Sequence, residues 1–169
     1  AINIGGAPLG TWASGGNLNT GRGQLGGAGL QTAALAFGGD QYPGTTPRDS
    51  ALTEQYNGSA WTEVNDLNSN RRGLTGAGIY TAALAISGYS DASTWVDNVE
   101  SWDGSSWTEI AETNLAASYR VGIGTQTNAL AVGGAAPPSG YRADTEVWNG
   151  SSWTEVNDLN EARYGGAGG

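Results

Sequence analysis

Apolar residues in this chain alternate over short runs and do not form helical stripes. Ala34-Leu35-Ala36-Phe37, Ala83-Leu84-Ala85-Ile86 and Ala129-Leu130-Ala131-Val132 each put large side chains on one face and alanines on the other. That pattern predicts a strand buried on both faces. Each run ends in glycine, at Gly38-Gly39, Gly88 and Gly133-Gly134. Ahead of the runs lie alternate glycines at 27 and 29, 76 and 78, and 122 and 124, with a further pair at 166 and 168. A strand so nearly bare of side chains suits close approach of neighbouring backbones, and we place inner strands near 24–31, 73–80 and 119–126. A third strand ends at Tyr56, Trp102 or Trp148, and a fourth begins at Trp61, Trp107 or Trp153. Asn57-Gly58-Ser59, Asp103-Gly104-Ser105 and Asn149-Gly150-Ser151 join them as hairpin turns. Tyr56 then faces Trp61 as a cross-strand aromatic pair contributing about 0.5–1 kcal/mol beyond burial, and the other copies repeat it.

Self-comparison makes the repeat explicit. Trp61-Thr62-Glu63-Val64-Asn65-Asp66-Leu67-Asn68 recurs at 153–160, Trp107-Thr108-Glu109-Ile110 is a diverged copy, and Trp12 begins a fourth. These tryptophans lie 49, 46 and 46 residues apart, the length of one four-stranded propeller blade. In one copy the markers are Gly38-Gly39, Tyr56, Trp61 and Arg71; in another they are Gly133-Gly134, Trp148, Trp153 and Arg163. This succession of double glycine, aromatic, tryptophan and arginine resembles the kelch repeat, although its aromatic-to-tryptophan spacing is shorter than is usual there. The resemblance implies an all-β chain, a β-propeller of four-stranded kelch-like blades. Three full blades span approximately 22–65, 71–111 and 119–157, with partial blades at 1–15 and 163–169, in a single domain or a fragment of a larger propeller. The partial blades complete one another in a four-bladed ring, belong to a longer propeller, or are completed by a neighbouring chain.

Composition narrows the chemistry. The net charge of −9, with all seven basic residues arginine, argues against nucleic acid as a partner. No apolar stretch reaches the roughly 20 residues of a membrane helix, so membrane insertion is not expected. The chain opens at Ala1 without a basic-then-apolar leader, which suggests processing or trimming. Cysteine, histidine and methionine are absent. Thiol nucleophiles, imidazole bases and the usual zinc and copper ligands are therefore missing, and we expect no cofactor, no metal and no catalytic residue.

Conspicuous residues have structural readings beside functional ones. Trp61, Trp107 and Trp153 have the form of sugar platforms, yet recurrence at one blade position marks core. Glu54, Glu100 and Glu146 recur on the third strand, and identical placement points to architecture in preference to a pair of catalytic acids. Asp103-Gly104-Ser105-Ser106-Trp107 resembles the Asp-box turn of sialidase propellers, itself a fold element. Asn57-Gly58-Ser59 and Asn149-Gly150-Ser151 also fit the glycosylation sequon.

Function is then sought in what differs between copies. The segments 40–50, 89–96 and 135–143 after the second strand are long, unlike one another, and emerge on one propeller face, where variable loops commonly bind. They carry Trp95, Tyr42, Tyr89, Tyr141, Arg48, Arg142 and Asp91, a set suited to a protein or glycan surface. Trp95, without a counterpart in the other copies, is the leading candidate for stacking on a sugar or anchoring a protein. The sequence thus points to a non-enzymatic structural or adhesion module, extracellular or on a virion. Its repeat units resemble the repeat-rich virion and tail-associated proteins of bacteriophages and bacterial surface proteins. A glycan-active propeller hydrolase or a lectin using the same face is the alternative.

Overall fold

The computed structural model describes residues 14–41, 48–90, 94–137 and 140–166. These residues form an all-β protein without helices, in three four-stranded antiparallel sheets, each a meander in chain order. The first sheet is β1 (Gly26–Leu30), β2 (Ala33–Phe37), β3 (Thr53–Tyr56) and β4 (Trp61–Val64). The second is β5 (Thr75–Ile79), β6 (Ala82–Ser90), β7 (Thr94–Trp102) and β8 (Trp107–Ile110). The third is β9 (Val121–Thr125), β10 (Asn128–Ala136), β11 (Gly140–Trp148) and β12 (Trp153–Val156). The three expected inner strands thus contain β1, β5 and β9. Of the terminal partial copies, residues 1–13 and 167–169 lie outside the described residues.

The glycine-rich strands pack against one another, β5 lying between β1 and β9. A Cβ on Gly76 would fall inside contact distance of the Gly27 carbonyl, and one on Gly122 inside that of Gly76. One expectation changes here. Gly124, read from the sequence as an axial residue, has φ of 110° and a Cβ there would meet Asn128 O of its own hairpin. It is a strand glycine whose left-handed backbone faces its own hairpin partner, and Gly122 holds the close approach to the neighbouring sheet. A belt of amides just ahead of these strands ties the sheets together. Gly73 N donates to Gln24 O at 2.8 Å, Tyr119 N to Gly73 O at 2.6 Å and Gly165 N to Tyr119 O at 3.0 Å.

The two sides of each second strand meet different neighbours. Leu35 and Phe37 pack on Ala83, Ala85, Trp102 and Trp107 of the second sheet. Leu84 and Ile86 repeat this against Ala129, Ala131, Trp148 and Trp153 of the third. Trp107 and Trp153 are therefore core, and Phe37 meets Trp107 edge-on at 4.9 Å. The junctions differ at one atom. Trp107 Nε1 donates to Thr53 Oγ1 at 3.0 Å, whereas Val99 occupies the place of Thr53 in the second sheet and the buried Trp153 Nε1 has no hydrogen-bond partner. Val99→Thr supplies the missing acceptor in a nearly isosteric side chain, and is expected to raise stability by about 1 kcal/mol. An unchanged or lowered denaturation midpoint in urea would show that the indole N–H is satisfied in another way.

Buried charge is repeated as faithfully as the apolar core. Glu54, Glu100 and Glu146 are each about 1 % exposed. They pair with Arg22 at 3.0 Å, Arg71 at 3.1 Å and Arg120 at 2.8 Å, from the segment leading into the same sheet. An asparagine from the preceding segment completes each site. The backbone N–H groups of Asn19, Asn68 and Asn114 all donate to the glutamate Oε2 at 2.7 Å. The same asparagine side chains donate to the carbonyls of Trp61, Trp107 and Trp153. These glutamates are junction pieces. Arg163, grouped with Arg71 by the repeat, is exposed and pairs with Glu161 at 3.6 Å.

The hairpins between third and fourth strands have four-residue connections, longer than the two-residue turns that Asn-Gly and Asp-Gly suggest, because Tyr56 pairs with Trp61, Trp102 with Trp107 and Trp148 with Trp153. The first side chain organises each loop. Asp103 Oδ1 accepts from Ser105 N and Ser106 N at 2.8 Å each, and Asn57 and Asn149 do the same in their copies. The N–H groups of Ser106 and Ser105 hold the Asp103 carboxyl down at about 2 from an ordinary 3.8. A depressed carboxyl contributes stability above its unfolded value, and loses it as pH falls through the folded one. Asp103→Asn, which copies the sister loops, is therefore expected to keep the melting temperature at neutral pH and to lessen its fall between pH 4 and pH 2. Parallel melts across that range check this; identical acid profiles would count against it.

Candidate interaction face

The variable segments are continuations of strands more than loops. In the second and third sheets the middle pair runs on past a bulge, between Ile86 and Gly88 and between Val132 and Gly134, into a two-stranded ribbon. Gly88 and Gly134 have φ of 128° and 112° there, values that glycine adopts without strain. Their amides reach across the junctions: Gly39 N donates to Arg71 O and Gly88 N to Ala117 O, both at 2.8 Å, and Gly134 N to Arg163 O at 2.9 Å. Residues 89–90, 94–96, 135–136 and 140–143 are thus strand residues, correcting their reading as loops. Bridges Gly23–Asp40, Arg72–Tyr89 and Ser118–Ala135 join each ribbon base to the amide belt, so the ribbons rise at one end of the stack.

One group of side chains runs from the first sheet to the second. Arg48 grips Asp40 with Nε and Nη2, Nη2 lying 2.6 Å from Oδ2. Hydrogen bonding from Arg48 holds the Asp40 carboxyl below its ordinary value against the cost of burial, with the charges of Arg48 and Arg72 adding to the effect. Asp40 bridges to Asp49 in the backbone, and Asp49 pairs with Arg72. The Arg72 guanidinium lies 4.6 Å over the Tyr89 ring, and Tyr89 meets Trp95 edge-on at 5.0 Å. Trp95 sits opposite Tyr89 in the ribbon, half-buried, with a buried indole N–H. Its place does have counterparts, Asp49 and Tyr141, each opposite the residue that follows the bulge glycine. The free platform expected at Trp95 is therefore in part a packing residue.

The second group is more open. Tyr141 is 58 % and Tyr164 48 % exposed, and their rings stack at 4.5 Å with 24° between planes. A hydrogen bond donated by the Tyr141 hydroxyl to Tyr164 favours the neutral phenol and raises Tyr141 above its ordinary value. Tyr119 lies 6.0 Å from Tyr164, and its hydroxyl donates to Gln24 Oε1. Arg142 follows Tyr141 in β11 and so points to the other face of the strand, where it pairs with Asp144 at 2.9 Å. Tyr42 and Asp91 lie outside the described residues. The structure thus joins Arg48, Tyr89 and Trp95 in one group, places Tyr141 with Tyr164 and Tyr119 in another, and sets Arg142 apart on the opposite face of β11 with Asp144. It adds Arg72, Asp49, Tyr119 and Tyr164, which sequence reasoning passed over. The available signal was that Arg72, Ser118 and Tyr164 share one repeat position and yet differ in every copy.

No group of three or more histidine, cysteine, aspartate or glutamate side chains able to hold a metal ion occurs among the described residues. No protein-family model matches this chain, and comparison with curated proteins gives no match.

Proposed function

We propose that the chain is a non-enzymatic structural or adhesion module, three blades of a kelch-like β-propeller whose ribbon face contacts a protein or glycan. Its setting is extracellular or on a virion, as in the repeat-rich phage and bacterial surface proteins that its units resemble. The observation that carries this reading is the Tyr141–Tyr164 pair, two stacked and largely exposed rings on the one end of the stack where the repeats differ. Exposed tyrosines offer apolar area with a hydroxyl at its edge and little side-chain entropy to lose, which suits a sugar ring or a protein anchor. The recurring glutamates support the non-enzymatic reading, since each is committed to a buried arginine.

A glycan array and a pull-down comparing the parent with Tyr141→Ala and Trp95→Ala test the assignment. Tyr141→Ala is expected to weaken binding by roughly 1–3 kcal/mol at an unchanged melting temperature. Trp95→Ala is expected to lower the melting temperature, because it strips the partner from Tyr89. Binding that survives the loss of Tyr141 would remove this face from consideration.

A further inference from the structure

The two junctions between sheets have the same parts, and the two ends of the stack carry those parts separated. One half is a face with Leu and Phe or Ile on the second strand, an apolar residue on the fourth, and the Leu-Asn pair that follows it. In the first sheet these are Leu35, Phe37, Val64, Leu67 and Asn68, and they close on the second sheet. The third sheet presents the same half as Leu130, Val132, Val156, Leu159 and Asn160, with Thr145 at the place of Thr53. Leu35, Phe37, Leu84 and Ile86 are at most 2 % exposed, whereas Leu130 and Val132 are half-buried and Val156 is 42 % exposed.

The complementary half is an alanine face with a tryptophan and a buried glutamate. The outer face of the first sheet has Ala34, Ala36, Tyr56, Trp61 and Glu54. Trp61 is half-buried, while Trp107 and Trp153 are 5 % and 6 % exposed. Its indole N–H donates to Gly16 O, and Asn19 already occupies Glu54, so residues 14–20 cover this face as a stand-in for a preceding sheet.

We propose that a second copy of this chain docks here head to tail, the third sheet of one copy on the first sheet of the next. Leu159 and Asn160 of one copy replace Leu18 and Asn19 of the other at Glu54, and Trp61 passes its indole N–H from Gly16 to Thr145. The contact repeats the two internal junctions, so its apolar, amide and carboxylate groups find the partners they have there. It is heterologous, with different surfaces on the two partners, and two copies that close on each other make a six-sheet ring. Association needs no ligand, so it stands or falls separately from binding at the ribbon face.

Sedimentation equilibrium of the full chain is expected to show dimers or higher multiples growing in with concentration. Asn160→Ala is expected to weaken association on the order of tenfold, and Asn19→Ala to strengthen it by taking the side-chain bond to Trp61 O from the covering segment and so easing its displacement. Val132→Asp on one face and Ala34→Asp on the other should each abolish self-association at an unaltered near-ultraviolet circular dichroism spectrum. Their mixture keeps one intact junction and should form a heterodimer, an outcome a symmetric interface cannot give. A parent that stays monomeric at every concentration, association indifferent to Val132→Asp, or a mixture that fails to pair would overturn the proposal.

Discussion

Gly76→Val is expected to leave no cooperative thermal transition and no dispersed amide NMR spectrum. The Cβ added at this position would press on the Gly27 carbonyl carbon and oxygen and on Phe37 Cζ of the first sheet. A flexible side chain could move aside, but the backbone of β1 is held by five cross-strand pairs with β2 and cannot retreat without opening its own sheet. Overpacking of this kind costs about 3 kcal/mol or more, and two further methyls from valine add to it. Gly27→Ala is the control. Its Cβ would meet only Leu35 O, at 3.4 Å, so the variant should fold with a modestly lowered midpoint. Similar melting temperatures for the two variants would refute close approach of β1 and β5.

Loss of one buried carboxylate is the second large effect. Glu100→Ala is expected to destabilise by about 3–5 kcal/mol, because it leaves a buried guanidinium without its counter-charge. Burial pushes the Arg71 guanidinium below its ordinary value, and Glu100 is the main group opposing that shift. Asn68 loses its acceptor in the same step, so the junction between first and second sheets opens with the ion pair. The third sheet offers a rescue that a merely bulky substitution would not show. Its arginine is three positions later than the repeat suggests: Ala117 stands where Arg71 does, and Arg120 stands where Leu74 does. Arg120→Leu should cost as much as Glu100→Ala, and Ala117→Arg in the same chain should recover most of the loss. Urea denaturation of the single and double variants measures both; failure of the double variant to recover would mean that the two positions do not reach Glu146 alike.

Strands, their order in each sheet, and the side of each strand that meets large or small neighbours were legible in the alternation of Leu35, Phe37 and the alanines and in the spacing of Trp61, Trp107 and Trp153. Those are local properties of a period-two chain repeated three times, and each copy confirms the others. The amino-acid sequence also determined that Glu54, Glu100 and Glu146 share one role. Which arginine serves Glu146 was decided only by the fold, since Arg120 reaches the same carboxylate from another position once its backbone is docked between sheets. Gly124 and Gly122 look alike in an alternating run, and only the folded backbone separates the left-handed position from the close approach. Trp95 stood out as an unmatched aromatic, yet its partner Tyr89 comes from across the ribbon and is itself held by Arg72 from the segment leading into the sheet. Tyr141 and Tyr164 are 23 residues apart in the sequence and touch only because the chain returns along the belt that carries Gly165. Alternation and repeat length act along the chain, whereas pairing of a charge or a ring depends on which backbone segments the stacking of sheets brings together.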